Sequence, residues 1–209
     1  MEWVVVDKLM INDAGGSIVL HTFGAYFGLA CSLVLQRKSQ REHPNEGSIY
    51  HSDQFAMIGS IFLWRKFDMV TIANSTLAGG VAIGTIANVI LEPVYAILIG
   101  FIAGIVSVLG YKFLTPFLTE RIGLHDTCGV HNLHGMPGLI AGIVSVIAAT
   151  HQLAAIFIIL GASLLSGALT SLFLRLKFWR QLDDEAHYSD AEFFEIPDDF
   201  ERVTATARE

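Results

Sequence analysis

The chain has 209 residues, of which 53% are hydrophobic and 16% are charged, and it contains 19 glycines. This composition is too apolar for an ordinary soluble domain of this size and favours an all-α, polytopic helical membrane protein. The formal charge of −7 at pH 7 arises largely from an acidic tail that begins near Asp183, which argues against nucleic acid as a partner.

The first predicted span lies close to the N-terminus. Residues 15–35 contain no Asp, Glu, Lys or Arg, and these 21 residues are enough to cross about 30 Å of hydrocarbon as a helix. Residues 1–14 lack the basic leader and cleavage site of a signal peptide, so we expect none. We expect these residues to form a short extracellular segment, because of the distribution of Lys and Arg described below. Asp13 has two possible roles: it can cap the N-terminus of the span, or it can line the mouth of a pore.

Five further apolar runs follow along the chain. Residues 55–64 are apolar for only ten positions, about half of what a spanning helix needs, and predict a half-helix that does not cross. The other four are long enough to cross, at 69–91, 93–111, 129–149 and 153–174. The sequence therefore predicts a transmembrane domain at 15–175, with five full spans and one half-helix, followed by an acidic cytoplasmic tail at 176–209.

The distribution of Lys and Arg predicts the orientation of these spans. If the half-helix does not cross, 12 of the 13 Lys and Arg residues fall on one side, and only Lys8 falls on the other. Cytoplasmic loops carry Lys and Arg in excess, so we expect a cytoplasmic C-terminus. The first span then runs inward and the 129–149 span runs outward, which is the antiparallel relation of an inverted repeat.

Two stretches, Asp13–His21 and Asp126–His134, echo each other at the start of apolar runs. In each one, an aspartate precedes a histidine by eight residues, which places the two side chains on one helix face about 12 Å apart. An ionisable side chain within a membrane is a functional-site hypothesis by default. Short internal echoes of this kind are typical of transporters built from repeats, whose sites lie at the repeat interface.

The two histidines predict a narrow polar path through an apolar bundle. Neutral imidazole has one donor and one acceptor nitrogen, and it can hydrogen-bond a small polar molecule while solvating a bare cation poorly. A metalloenzyme would use His131 and His134 with Asp126, but metal sites normally need three or more ligands in a closed geometry, and no further cluster is apparent. We therefore expect no metal, no other cofactor and no catalytic residue.

Several motifs occur in an order that is similar to one known family. They are His21–Leu29, Ser52–Gly59, Thr76–Gly80 and Asp126–Gly138. Together they resemble the Rh-type branch of the ammonium transporter family and cover most of the chain before the tail. The resemblance implies a trimer of helical protomers, each with an ammonia pore.

The resemblance also implies which residues line the pore. His21 and His134 stand at the positions of the family's twin-histidine pair, and Asp13 and Asp126 stand at the positions of its two aspartates. His131 is the nearest competitor to His134, but the family motif makes the later histidine the pore residue.

The chain departs from this family in two places. It begins just before the span that carries His21, and it breaks at Trp64–Arg65, where the family continues through the rest of that helix and a further one. These departures imply a C-terminal half with an internal deletion. The missing parts would carry the pore-mouth phenylalanines, so no such gate is assigned here.

Two functions therefore stay open on the sequence. The first is an Rh-type ammonia channel fragment, not an enzyme, that moves ammonia after ammonium has lost its proton. The alternative is a non-conducting isoform or interaction subunit that associates with full-length protomers. The expected partners are ammonium or ammonia, membrane lipids and other protomers, and the expected location is the plasma membrane.

Overall fold

The computed structural model describes residues 3–37, 40, 69–147 and 151–179. Throughout these ranges the regular structure is helical, without a strand, which confirms the all-α fold class. The α-helices are α1 (Phe23–Leu35), α2 (Met69–Gly84), α3 (Pro93–Leu109), α4 (Thr115–Ile122), α5 (Met136–Val144) and α6 (Gln152–Leu174). Wider π-helical stretches occupy Trp3–Lys8, Ser17–Thr22, Gly110–Leu114 and His131–Gly135, and a 3₁₀ turn occupies Ser145–Ile147. The predicted half-helix at 55–64 and the tail beyond Trp179 lie outside the described residues.

Three continuous helical segments among the described residues are long and apolar enough to cross a membrane. They are Ser17–Leu35, Pro93–Ile122 and Gln152–Leu174. The second begins at a proline, whose missing N–H would have no helical partner in the first turn anyway. It ends at Gly123, which has the left-handed φ of 74° common after a helix. The chain is thus an integral membrane protein by the length and apolarity of its helices.

The other two predicted spans form shorter or interrupted helices. α2 has 16 residues and ends at Gly84, after which residues 85–89 form turns. The 129–149 run contains the π-helical stretch His131–Gly135, then α5, and then the 3₁₀ turn. That these two segments cross completely stays a prediction.

Contacts between the helices show their relative directions. α1 and α6 run parallel, because Cys31 contacts the Gly167 carbonyl at 3.4 Å and the Arg175 guanidinium reaches the Val34 carbonyl at 3.2 Å. α5 runs antiparallel to the segment that carries His21: a Cβ at Gly142 would meet Ile18, and one at Gly135, before the helix, would meet Ala25, both at 3.5 Å. These directions agree with the alternating topology predicted from the basic residues.

The core of the described part lies between the N-terminal segment and α6. Its buried residues are Val5, Ile11, Ile18, Val19, Ala155, Ile156 and Ile159. The outer faces stay apolar but exposed, as along α3 at Ile97, Phe101 and Ile105. Small residues bring the helices close together, since a Cβ added at Gly79 would lie 3.3 Å from Gly100 Cα. Apolar outer faces around a tightly packed interior are typical of helices that face lipid.

Candidate functional site

Two histidines that lie far apart in the sequence meet inside the bundle. Nδ1 of His21 lies 2.9 Å from Nδ1 of His134. The rings are stacked, with their centroids 4.9 Å apart and their planes 15° from parallel. One Nδ1 has to donate and the other has to accept, so at least one ring is neutral. The structure therefore brings together the two histidines that the sequence singles out.

The backbone positions these histidines in the same way in both halves. Each histidine lies on a π-helical stretch, a distortion that is frequent at functional sites. Each stretch follows a glycine in the left-handed region, Gly16 with φ 70° and Gly129 with φ 71°, where a Cβ would be strained. Each glycine N–H donates to the carbonyl of the aspartate three residues earlier at 3.1 Å. The two similar sequence segments thus also share a backbone conformation.

The Asp13 carboxylate caps the first of these segments. Oδ2 accepts the Val19 backbone N–H at 2.8 Å, and both oxygens lie 3.2 Å from the Ile18 N–H. The buried Thr85 hydroxyl donates to Oδ1 at 2.7 Å. The capping role of Asp13 is therefore observed, whereas a role at a pore mouth stays a prediction.

The Asp126 carboxylate holds the second segment. Its oxygens accept the backbone N–H groups of Val130 at 2.8 Å and His131 at 2.9 Å. Burial raises the pKa of the Asp126 carboxyl above its ordinary value, while these N–H groups and the nearby charge of His131 lower it in part. Asp126 thus combines a capping position with a carboxyl whose charged form is penalised by burial.

His131 lies one helical turn before the histidine pair, apart from the His21–His134 contact. Its ring packs edge-on against Tyr26, with a centroid distance of 5.5 Å and an interplanar angle of 76°. Its Nδ1 is buried and has no protein hydrogen-bond partner. A Cβ added at Gly135 would lie 2.8 Å from this nitrogen, so the glycine leaves room for the imidazole.

A polar network, not foreseen from the sequence, ties the Asp13 segment to three other parts of the chain. The fully buried Gln152 donates to the Asn12 carbonyl at 2.6 Å and to the Ser145 hydroxyl at 2.7 Å. The Asn12 amide donates in turn to the Thr85 carbonyl at 2.7 Å and to Asn88 at 3.1 Å. The sequence signal for this network is Gln152, at the edge of an apolar run, because a side-chain amide has to be hydrogen-bonded once it is buried.

A second polar cluster supports the Asp126 segment. The Tyr111 hydroxyl donates to the Cys128 carbonyl at 3.1 Å and contacts the Gly129 carbonyl at 3.2 Å, and the Asn74 amide hydrogen-bonds the same hydroxyl. The fully buried Asn132 donates to the Thr115 hydroxyl at 2.6 Å. These contacts hold the start of the helical segment that carries His134.

The described residues contain no group of three or more His, Cys, Asp or Glu side chains that could hold a metal ion. What the site presents is a pair of imidazoles in an apolar bundle, with a capped helix start on each side. Two antiparallel segments of similar construction, meeting at polar side chains within apolar helices, define a helical membrane transporter or channel.

Comparison with known proteins gives the family. A model of the Ammonium Transporter Family matches residues 1–65 and 65–182, and the chain belongs to this family. The ammonium transporter Rh type A of Bos taurus is 40% identical over 253 aligned positions, which cover 94% of this chain and 59% of the relative. The ammonium transporter Rh type C of Canis lupus familiaris is 35% identical, covering 95% and 60%. The resemblance to the Rh-type branch is thereby confirmed.

A solved structure agrees with this assignment. Rh50 of Nitrosomonas europaea, described as one of the Rhesus protein family of channels, is 29% identical to this chain with a TM-score of 0.77. The alignment covers 95% of this chain and 65% of Rh50. The helical membrane fold of the Rh channels is therefore the fold of this chain.

The chain spans about three fifths of the length of the curated relatives it matches. The 253 aligned positions of the bovine relative exceed the 209 residues of the chain, so the relative has residues with no counterpart here. The two stretches matched by the family model meet at residue 65, where the sequence predicts a missing piece.

Proposed function

We propose that this chain provides an ammonia path along His21 and His134, with ammonium losing its proton before it reaches the pair. The observation that carries the proposal is the 2.9 Å contact between the two Nδ1 atoms within apolar helices. A hydrogen-bonded imidazole pair can donate a hydrogen bond to neutral ammonia or accept one from it. A bare ammonium ion would lose its hydration there without a compensating charge, at a cost of several kcal/mol. The substrate changes only in protonation, so the chain acts as a channel and not as an enzyme.

The two aspartates support this path from opposite ends. Asp13 and Asp126 hold the helix starts that carry the two histidines, through backbone N–H groups. Their negative charge would also raise the local concentration of ammonium at each mouth. We propose Asp13 for the outer mouth and Asp126 for the cytoplasmic side.

The proposed location is the plasma membrane, with a cytoplasmic C-terminus and with other protomers as partners. Support comes from the Lys and Arg bias of the loops and from the broad apolar faces, such as that of α3. A homotrimer, or association with full-length family protomers, would cover part of these faces.

A second candidate function is a non-conducting subunit. It is favoured by the residues of the bovine relative that have no counterpart in this chain, because a pore wall that lacks them would be incomplete. In that case the chain would act by joining full-length protomers.

Flux measurements in liposomes test the proposal. Two proteins are compared: this chain, and a hybrid in which the bovine relative supplies the aligned residues that this chain lacks. Each of the two is prepared as wild type, as His21→Ala and as His134→Ala. We expect either substitution in the hybrid to change both the ammonia flux and its selectivity over ammonium current. His151→Ala, at an exposed histidine at the start of α6, is the control and should change neither. Unchanged rate and selectivity in both pair variants would contradict the path.

A further inference from the structure

The residue just before each aspartate is anchored through its backbone to one of the long helices. These residues are Asn12 and His125, which are related by the same offset of 113 residues as the two histidines of the pair. The Asn12 carbonyl accepts the Gln152 amide at 2.6 Å, and the His125 carbonyl accepts the Ser32 hydroxyl. The two halves of the repeat thus share a backbone anchor as well as a capping aspartate.

The Gln152 side chain holds Asn12 at both of its backbone groups. Its Nε2 donates to the Asn12 carbonyl, and its Oε1 accepts the Asn12 N–H at 3.1 Å. Nε2 also donates to the Ser145 hydroxyl. Gln152 is fully buried, so an apolar side chain of the same length would remove the partner of both backbone groups without letting water replace it.

From each anchor, a short run of backbone leads to one histidine of the pair. Asp13 accepts the Val19 N–H, two residues before His21. In the other half, the aspartate accepts the His131 N–H, three residues before His134. A shift of either anchored backbone is therefore passed on to the position of one imidazole.

The two anchors lie at opposite ends of one pair of helices. Gln152 begins α6. Ser32 lies in the last turn of α1, next to Cys31, which contacts Gly167 of α6. Since α1 and α6 run parallel, roughly 23 Å of helix separate the two anchors. The same helix pair therefore sets the points from which both segments approach the middle of the bundle.

We propose that Gln152 and Ser32 are positioning residues for the histidine pair, which set the depth at which His21 and His134 meet. Each acts through the backbone that it holds. The 2.9 Å contact between the Nδ1 atoms requires both segments at matching depths, because a hydrogen bond weakens steeply as its geometry is lost. Loss of either anchor should therefore break this contact while the helices remain. Only the consequence for ammonia flux rests on the proposed function.

NMR of the full chain in lipid vesicles, labelled with ¹⁵N-histidine, tests this proposal. A hydrogen bond between two imidazole nitrogens produces a ¹⁵N–¹⁵N coupling, and its disappearance in His21→Ala assigns it to the pair. We expect the coupling in the wild type and its loss in Gln152→Met and Ser32→Ala. Methionine keeps the unbranched shape of glutamine but cannot pair with the Asn12 backbone. Ser32→Thr keeps a hydroxyl and should retain the coupling.

The matched controls are Gln36→Met and Ser163→Ala. Each of these side chains donates to a carbonyl three residues earlier in its own helical segment, so its loss does not reach the aspartate segments. Both controls should retain the coupling, which separates positioning of the pair from a general loss of stability.

Retention of the coupling in either Gln152→Met or Ser32→Ala, or its absence from the wild type, would overturn the proposal. Circular dichroism of each variant verifies its helix content. If Gln152→Met does not fold, the comparison of Ser32→Ala with Ser32→Thr decides. The measurement requires no flux, so its failure is distinguishable from a failure of the ammonia path.

Discussion

At the scale of single residues, the Asp13 carboxylate accepts hydrogen bonds from two parts of the chain, and only one of these contacts could be predicted from the sequence. Its carboxylate accepts the backbone N–H groups that begin the His21 segment, and it accepts the hydroxyl of the buried Thr85. The sequence placed Asp13 at a helix start, and capping there follows from its residue type. It gave no sign of Thr85, since a threonine distant in the chain becomes a partner only through packing.

We predict that Asp13→Ala destabilises the chain more than Asp13→Asn does. Alanine leaves the Val19 N–H and the Thr85 hydroxyl without their acceptor, a loss of about 2 kcal/mol, while asparagine keeps a capping oxygen. Thermal unfolding in detergent, followed by fluorescence, measures the difference. Asp7→Ala, at an exposed aspartate, is the control and should have little effect. Equal losses for alanine and asparagine at position 13 would contradict the capping account.

At the scale of elements, α6 contains two glycines in opposite environments. Gly167 is buried against α1, where an added Cβ would lie 2.9 Å from the Ala30 Cβ. Gly161 is exposed, and a Cβ there would meet nothing within 4 Å. The close approach of α1 and α6 thus depends on one of these glycines and not on the other.

Only one of the substitutions at these two glycines should destabilise the chain. Gly167→Ala would push α1 and α6 apart and destabilise the chain by about 1–3 kcal/mol, as overpacking does. Gly161→Ala should be neutral, or stabilising by up to about 1 kcal/mol, because alanine is the better helix former. Unfolding temperatures of the two variants in the same detergent provide the comparison. A loss of stability in both would indicate a helix effect unrelated to the α1 contact.

The elements also show how much of the fold could be predicted from the sequence. Apolar length predicted helices at 15–35, 93–111 and 153–174, because none of these runs contains Asp, Glu, Lys or Arg, and the structure has helical segments at Ser17–Leu35, Pro93–Ile122 and Gln152–Leu174. It did not predict that α2 stops at Gly84, because Thr85 and Asn88 lie in an otherwise apolar run and their hydrogen bonds to Asn12 and Asp13 arise only from packing. Repeat periodicity anticipated the meeting of His21 and His134, whereas the π-helical shape of both segments has no evident signature in the sequence.

At the scale of the whole molecule, the parallel packing of α1 and α6 makes the topology testable at two described positions. Gln36 ends α1 and His151 precedes α6, so these residues lie at opposite ends of the bundle. His151 is exposed, whereas the neighbouring Gln152 is fully buried. His151 is therefore the better position for a label.

We predict that an impermeant thiol reagent added outside intact cells labels His151→Cys and does not label Gln36→Cys. The background carries Cys31→Ser and Cys128→Ser, so that the introduced cysteine is the only one. The physical reason is the excess of Lys and Arg beyond α1 and α6, which favours the cytoplasmic side. Permeabilised cells supply the control, in which both positions should react. Labelling of residue 36 from outside would reverse the orientation.

The last prediction concerns flux through the chain on its own. Leu20, next to His21, is 64% exposed, and the bovine relative has aligned residues that this chain lacks. An open wall would let lipid meet the polar edge of the histidine pair, where hydrogen-bonding groups go unsatisfied at a cost of several kcal/mol each. A barrier raised by only about 1.4 kcal/mol slows passage about tenfold. We therefore expect the purified 209-residue chain in liposomes to conduct ammonia at least about tenfold more slowly than the hybrid. Stopped-flow recording of a pH-sensitive dye inside the vesicles measures both, with empty liposomes as the baseline. A flux equal to that of the hybrid would show that the described helices, or copies of this chain together, already enclose the path.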